Sequence, residues 1–331
     1  MMDKSKKHYP VMLPEVLAAL EPQAGETYVD GTFGNGGYSE AFLKASACLV
    51  IGLDRDPNVA ARADELVAEY GTRFRLIQTP FSKLDALGLD PVDAVVLDIG
   101  VSSMQLDEGE RGFSFMRDGP LDMRMSQSGP SASDAVMNLD QTQLEQMFRV
   151  YGEEARARHA AKVIVQAREE APLTRTLQLA DLMEKALGRR GKTHPATKVF
   201  QALRIFINDE LGELFQALHA AERTLAPGGR LIVVTFHSLE DRLVKSFFRE
   251  RAGEIEGGSR YAPAVERSGP PASFFLPKRS VTKPSKTEIQ ENARSRSAKM
   301  RVAVRTEAQA WTETEGRSLR VPQLSDLEAL L

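Results

Sequence analysis

Apolar and polar positions follow two rhythms along this chain. Short continuous apolar runs lie near 26–30, 49–53, 74–77 and 93–97, each bounded by Gly, Pro, Asp or polar residues. Runs of that length, rich in Val, Ile and Leu, read as buried strands. Between them lie helical patterns: 15–20 with Pro14 at its start, 37–46, and 56–70 closed by Gly71. Strands alternating with helices predict an α/β fold around a parallel sheet. The run at 93–97 is the strongest and reads as its central strand, buried on both faces.

The alternation stops at 103. Residues 103–134 are rich in Gly, Ser, Asp, Arg and Met, and interleave Phe113, Phe115 and Met116 with arginines. A loop this long within a compact domain is functional or disordered as a rule, and its composition suggests order on contact with a ligand. Helices follow. One is expected over 153–170, with small and apolar residues at 157, 160, 161, 164 and 167, and another over 178–187. A basic loop spans 189–195. A long helical pattern then covers about 196–225, its first half assigned to an inserted helical domain and its second to the α/β core. The α/β pattern resumes with a tight turn at 226–229, a strand at 230–236 and a helix opening at 237–242. Residues 253–273, rich in Gly, Pro and Ser, read as a mobile loop. Weak strands near 274–281 and 300–304 complete the sheet, and the last 20 or so residues read as a peripheral tail.

Composition narrows the class. The chain has 331 residues, 42% apolar and 27% charged, as in ordinary soluble globular proteins. No stretch approaches the ~20 apolar residues of a membrane span. Residues 1–7 are polar and basic with no apolar run after them, so no signal peptide is expected. The single cysteine, Cys48, sits in a buried strand pattern and reads as inert core. It allows neither an intrachain disulfide nor a cysteine metal cluster, which points to the cytoplasm. No metal is expected. Net charge is −3, yet basic residues cluster: nine Lys/Arg against two Glu over 277–305, and eleven against four acids over 156–204. Each cluster marks either an anionic partner or a solvated helix face.

The candidate chemistry gathers at strand ends. Residues 28–39 read as a strand, a glycine-rich turn with Gly34, Gly36 and Gly37, and a helix start, the usual way into a nucleotide site. The third glycine of a dinucleotide fingerprint is missing at its offset, and Asp30 precedes the loop. A carboxylate there repels a pyrophosphate but suits the amino-acid end of S-adenosylmethionine, so that cofactor is favoured over NAD. Asp54, about 20 residues on, either accepts the ribose hydroxyls or caps a helix, a task for which Asp56 competes. Phe81 lies against an adenine ring or belongs to the core. Asp98, at the tip of the central strand and followed by Gly100, Ser102 and Ser103, is the chief catalytic candidate. His237 is a general base, a substrate contact or a helix cap.

These segments together resemble one family, the bacterial small-subunit ribosomal RNA cytosine-N4 methyltransferases of the MraW type. The resemblance is carried by His8-Tyr9-Pro10-Val11-Met12, Asp30-Gly31-Thr32-Phe33-Gly34, Leu53-Asp54-Arg55-Asp56, Leu97-Asp98-Ile99-Gly100-Val101-Ser102-Ser103, residues 111–125, His194-Pro195-Ala196-Thr197, 226–230 and Phe236-His237-Ser238-Leu239-Glu240-Asp241-Arg242. It runs from about 8 to 305. Residues 111–125 and 236–242 are specific to the family, whereas the glycine loop alone is not.

The resemblance implies a Rossmann-like class I S-adenosylmethionine-dependent methyltransferase fold with an inserted, mainly helical substrate-binding domain. It would divide as 1–103 and 211–306 for the methyltransferase domain, 104–210 for the insertion and 307–331 for the tail. It implies cofactor contacts at Gly36, Gly37, Tyr38, Asp54, Phe81, Asp98 and Gln105, beside Asp30 and Gly34 from the loop itself. The family usually carries His at the position of Tyr38. A backbone contact survives that change, but a role for an imidazole does not. The expected reaction is N4-methylation of a cytidine in the decoding region of 16S rRNA within the small ribosomal subunit, by a cytoplasmic monomer or homodimer. Asp98, Ser102, Ser103 and His237 are placed at the chemistry. Arg111, Phe113 and Phe115 are placed against the extruded base, and Arg189, Arg190 and His194 against RNA. Three rivals remain. A DNA amino-methyltransferase usually has Asp/Asn-Pro-Pro-Tyr/Phe/Trp where Asp98-Ile99-Gly100-Val101 stands. A non-catalytic RNA-binding assembly factor would keep a relic pocket. An NAD oxidoreductase would bind NADH and not the sulfonium.

Overall fold

The computed structural model describes residues 10–189, 191, 193–254, 270–277, 281–312 and 324–331. Arg190, His8, Tyr9 and most of the loop expected at 253–273 lie outside them. In chain order the elements begin α1 (Leu13–Leu20), β1 (Thr27–Asp30), α2 (Gly37–Ala45), β2 (Leu49–Asp54), α3 (Ala60–Tyr70), β3 (Phe74–Gln78) and β4 (Val92–Asp98). The middle of the chain is helical: α4 (Ser103–Asp107), α5 (Ala132–Asn138), α6 (Gln141–Val150), α7 (Ala157–Glu170), α8 (Thr176–Leu187) and α9 (Thr197–Ile207). Then come α10 (Glu210–Thr224), β5 (Leu225–Thr235), α11 (Ser238–Arg251), β6 (Phe274–Phe275), β7 (Val281–Thr282), α12 (Lys286–Glu291), β8 (Lys299–Arg305) and α13 (Leu324–Glu328). Among the described residues no helix is long and apolar enough to cross a membrane. Two compact units result: Met1–Gly100 with Leu211–Glu315, and Val101–Glu210 with Gly316–Leu331.

The first unit is built on one sheet in the order β3-β2-β1-β4-β5-β8-β6, with β7 also pairing β8. Strands β1 to β5 run parallel and β8 runs antiparallel to β5. As its apolar run predicts, β4 is central, and Val95, Val96 and Leu97 are buried. Alternate strand residues define the two faces. Val29, Ile51, Leu53, Val95, Leu97, Leu231 and Val233 share a cluster with Leu214, Ala217, Leu218 and Ala221 of α10 and with Val244 and Phe248 of α11. On β1, Tyr28 points the other way and meets Phe42 of α2 edge to face, with ring centroids 6.0 Å apart.

Two features of this unit depart from expectation. The turn at 226–229 lies within β5: Val92 pairs with Leu225 and Ala94 with Arg230, so four residues loop out of the ladder against one on β4. The expected tail from 307 is tied in at its start. The Trp311 amide donates to Glu222 Oε1 (3.1 Å), its indole N–H donates to Pro271 O (2.8 Å), and its ring covers Arg251. Arg251 is fully buried and donates to Glu222 Oε2 at 3.0 Å, so the tryptophan helps to shield an internal ion pair from water.

The second unit packs α6 on α7 and α9, α7 on α8, and α5 on α7 and α9. Leu327 of α13 is buried, and α13 packs on α5. The segment 103–134, expected to order on contact with a ligand, also makes contacts of its own with the rest of the unit. Leu121 N donates to Thr174 O (2.8 Å), Thr176 N to Gly119 O (2.9 Å) and Met125 N to the Asn208 side chain (2.9 Å). Gly119 packs so closely that a Cβ there would sit 1.9 Å from Gly109 O. The helical pattern over 196–225 is two helices, not one. Asp209 takes φ +45°, and the Asn208 side chain donates back to Arg204 O (2.9 Å) and across to Met123 O (2.7 Å), which ends α9. Similarly, α7 starts at Ala157 and not at 153, because Glu153 is left-handed (φ +48°).

Candidate active site

The site candidates of the first unit lie at the carboxyl ends of β1, β2, β4 and β5, where ligands bind in open α/β sheets. Asp30, the last residue of β1, is fully buried. Its Oδ2 accepts from the Ser39 hydroxyl (2.7 Å) and amide (3.2 Å), and its Oδ1 from Thr32 N (3.3 Å). Asp30 thus spans the glycine loop from its start to the first turn of α2. Gly36 caps α2 at φ +68°, which favours glycine. A Cβ on Gly37 would lie 2.4 Å from the Pro10 ring. Gly34 N donates to Asp54 Oδ2 (2.7 Å), and Asp56 N donates to Asp54 Oδ1 (2.9 Å). Asp56 itself caps the following turn, accepting from Asn58 N (3.1 Å). The capping reading therefore belongs to Asp56, and Asp54 is left at the end of β2 with its carboxylate held by two amides. Phe81 is half-buried and packs on the core cluster, next to Gly31.

Tyr38 is buried in the first turn of α2. Its ring stacks on Phe42, and its hydroxyl donates to Val11 O. Asp98 ends β4. Its amide donates to the Thr32 hydroxyl (2.7 Å), while its buried Oδ1 has no hydrogen-bond partner. The chain leaves β4 with Ile99 N donating to Val234 O (2.9 Å) and Gly100 at φ +121°. At the end of β5, His237 caps α11: Nδ1 accepts from Glu240 N (3.4 Å), and Glu240 Oε2 accepts from His237 N (3.1 Å) and Phe236 N (2.8 Å). His237 Nε2 lies 2.9 Å from Glu240 Oε1, outside hydrogen-bonding alignment. Of the three roles open to His237, capping is the one visible here.

The electrostatics of this region are those of crowded, dry carboxyls. Burial pushes Asp30 up to about 6, and Ser39 and Thr32 only partly offset it. Burial raises Asp98 well above the carboxylate range, helped by the charges of Asp30, Glu240 and Glu288. Asp54 is raised by burial as well. Such a group of acids favours a cationic ligand, because a nearby positive charge restores the ionised forms that burial opposes.

The candidates of the second unit are placed as follows. Ser102 Oγ caps α4 by accepting from Gln105 N (3.2 Å), and the Gln105 side chain accepts from Ser102 N (3.0 Å). Ser103 is the first residue of α4. The Arg111 guanidinium donates to Arg124 O (3.0 Å) and Met125 O (3.1 Å) and covers the buried Phe113 ring. Both residues thereby hold 111–125 together. Phe115 packs between His194 (4.7 Å) and Phe200 (4.9 Å). Arg189 is exposed and pairs with Glu184, whose other oxygen lies 3.4 Å from His194 Nε2.

The model of the MraW methylase family matches residues 5–306. The chain belongs to the MraW methylase family. A Ribosomal RNA small subunit methyltransferase H from Maricaulis maris is 56% identical over 330 residues, covering 98% of each chain. Proteins of the same description from Caulobacter vibrioides and Hyphomonas neptunium are 55% identical over 307 residues and 51% identical over 327. They cover 92% and 97% of this chain, and 97% and 95% of their own. The chain is accordingly a methyltransferase with the Rossmann-like class I fold.

Within this methylase site, Thr32, Ser39 and Glu288 escape motif reading, and Glu240 does so only in part. Thr32 and Ser39 sit inside the glycine segment but carry no charge to single them out. Glu240 stands three residues after His237, the spacing of a capping box, so a cap was legible there. Glu288 lies in a basic, polar stretch and gives no signal by pattern. The residues present fit a sulfonium cofactor, since the unpartnered Asp98 Oδ1 and its neighbouring acids lack only a cation.

Proposed function

We propose that this methyltransferase methylates the N4 amine of one cytidine in the decoding region of 16S rRNA, within the small ribosomal subunit and with S-adenosylmethionine as donor. When bound, the cofactor supplies an electrophilic methyl group on a cationic sulfur. The chain's residues bind, orient and accept protons. Asp54, preset by Gly34 and Asp56, is suited to accept ribose hydroxyls. The backbone of Gly36 and Gly37 is suited to approach the amino-acid end closely. Asp30 contributes by shaping the loop, because its oxygens are taken up by Ser39 and Thr32.

Unpartnered Asp98 Oδ1 is the observation that carries the reading. A cytosine amine is conjugated with its ring and attacks poorly. It becomes acidic as it takes a methyl group, so a fixed acceptor favours that moment. Asp98 offers an oxygen free of other bonds, with basicity already raised by burial. Ser102 Oγ already accepts from Gln105 N, and this reading gives the acceptor role to Asp98. The base must leave its stack to reach such a position. Cationic surface such as Arg189 suits the phosphate backbone. Cytoplasmic location and a monomeric or dimeric state complete the reading.

The test is incubation with labelled S-adenosylmethionine and small subunits from a strain lacking this activity, followed by nucleoside mapping. Label in a single N4-methylcytidine is expected. Cofactor binding with no label in the subunit overturns the substrate, and DNA and free RNA become the next substrates to test.

A further inference from the structure

The segment 10–12 is held down at three points. Pro10 presses on Gly37 so tightly that a Cβ there would meet its ring at 2.4 Å. The Tyr38 hydroxyl donates to Val11 O. From the other side, Met12 N donates to Glu288 Oε1 at 2.8 Å. Met12 is itself left-handed (φ 56°) with a fully buried side chain, and starts α1 through Val16 N donating to Met12 O (2.9 Å). A non-glycine residue in that conformation persists only where its surroundings over-determine it. Glu288 is itself placed by α12, where the Ser285 hydroxyl accepts from its amide at 3.1 Å.

We infer that Tyr38 and Glu288 are positioning residues for the cofactor site: together they clamp segment 10–12 onto Gly37, and so fix the backbone of the glycine loop. The inference rests on the reading of Gly36 and Gly37 as cofactor contacts. It accounts for a tyrosine buried in the first turn of α2. The useful atom is the hydroxyl that reaches Val11 O. It also gives α12, otherwise remote in sequence from the loop, a part in binding. A loop held in its binding shape before the ligand arrives does not lose that ordering entropy on binding.

The experiment uses the full chain, titrated calorimetrically with S-adenosylmethionine, beside steady-state methylation and amide exchange at Met12 in the unliganded protein. Tyr38→Phe removes only the hydroxyl and should raise Kd and KM for the cofactor about tenfold, with kcat within about twofold. Glu288→Ala should do the same, whereas Glu288→Gln keeps an acceptor for Met12 N and should stay within about threefold of wild type. Because both residues hold one segment, the double variant should lose clearly less than the two single losses combined. Met12 exchange should speed up in Tyr38→Phe and Glu288→Ala. Unchanged affinity in these variants, independent losses, or a Gln variant as weak as Ala overturns the clamp. A wild-type chain that does not bind S-adenosylmethionine at all sinks the proposed function, and the inference with it.

Discussion

Thr32 and Asp98 belong to different strand ends, yet the amide of Asp98 donates to the Thr32 hydroxyl at 2.7 Å. The glycine loop after β1 and the tip of β4 are therefore one mechanical piece. Thr32→Val keeps the shape and removes the acceptor. It should lower unfolding free energy by about 1–3 kcal/mol, as an amide left without its partner does, measured by urea titration. Stability equal to wild type would mean that water replaces the hydroxyl.

Asp98→Ala removes a buried oxygen without a hydrogen-bond partner at the end of β4. Methyl transfer to small subunits should fall by about 100-fold or more, with the circular dichroism spectrum unchanged. Near-wild-type turnover in a single-turnover assay would remove Asp98 from the site.

Proton uptake and release should report the acids. Asp30 is raised to about 6 and Asp98 well above its ordinary range, so in the free protein both keep their protons to higher pH than ordinary carboxyls do. A cation bound among them lowers both, and the protons leave. Binding of S-adenosylmethionine should then tighten as pH rises towards 6, by up to about tenfold per pH unit for each proton released, and go on tightening above 6 only through Asp98. Calorimetry in phosphate and in Tris should give enthalpies that differ by the buffer ionisation heat. S-adenosylhomocysteine, with no sulfonium charge, should release fewer protons. Equal enthalpies in both buffers would contradict the acid cluster as the cation's seat.

Arg189 is exposed and shares Glu184 with His194. Arg189→Glu should weaken binding to small subunits and reduce the slope of log affinity against log salt by about one or more. An unchanged slope assigns the loop to solvent.

Much of the first unit is legible from pattern. Val95, Val96 and Leu97 form an unbroken apolar run because β4 has neighbours on both edges and helices on both faces. Asp30, Asp54 and Asp98 announce the site because each closes such a run, and a parallel sheet brings strand ends together. The rest fails for identifiable reasons. The break at Asn208 and Asp209 interrupts no hydrophobic period, since the signal lies in side-chain bonds to Arg204 and Met123. Residues 103–134 read as ligand-ordered because Arg111 and Phe113 look like recognition groups, while Arg111 also holds two backbone carbonyls of its own loop. Trp311 reads as tail because its partners Glu222, Arg251 and Pro271 are distant in sequence. Whether Asp56 or Asp54 caps a turn is likewise a matter of two hydrogen bonds that residue type alone leaves open.

The pairing of β4 with β5 also governs how the chain comes into being. The two strands are neighbours in the sheet, but the whole of α4 to α10 is made between them. A growing chain thus presents β1 to β4 as a half-built sheet whose last strand has one edge of unpaired backbone N–H and C=O groups. That edge stays open until more than a hundred further residues have emerged, long enough for strand-to-strand aggregation to compete. Closing it requires a contact of high sequence separation, which slows folding. The helical stretch between the two strands therefore leaves the central strand unsealed until β5 has been made.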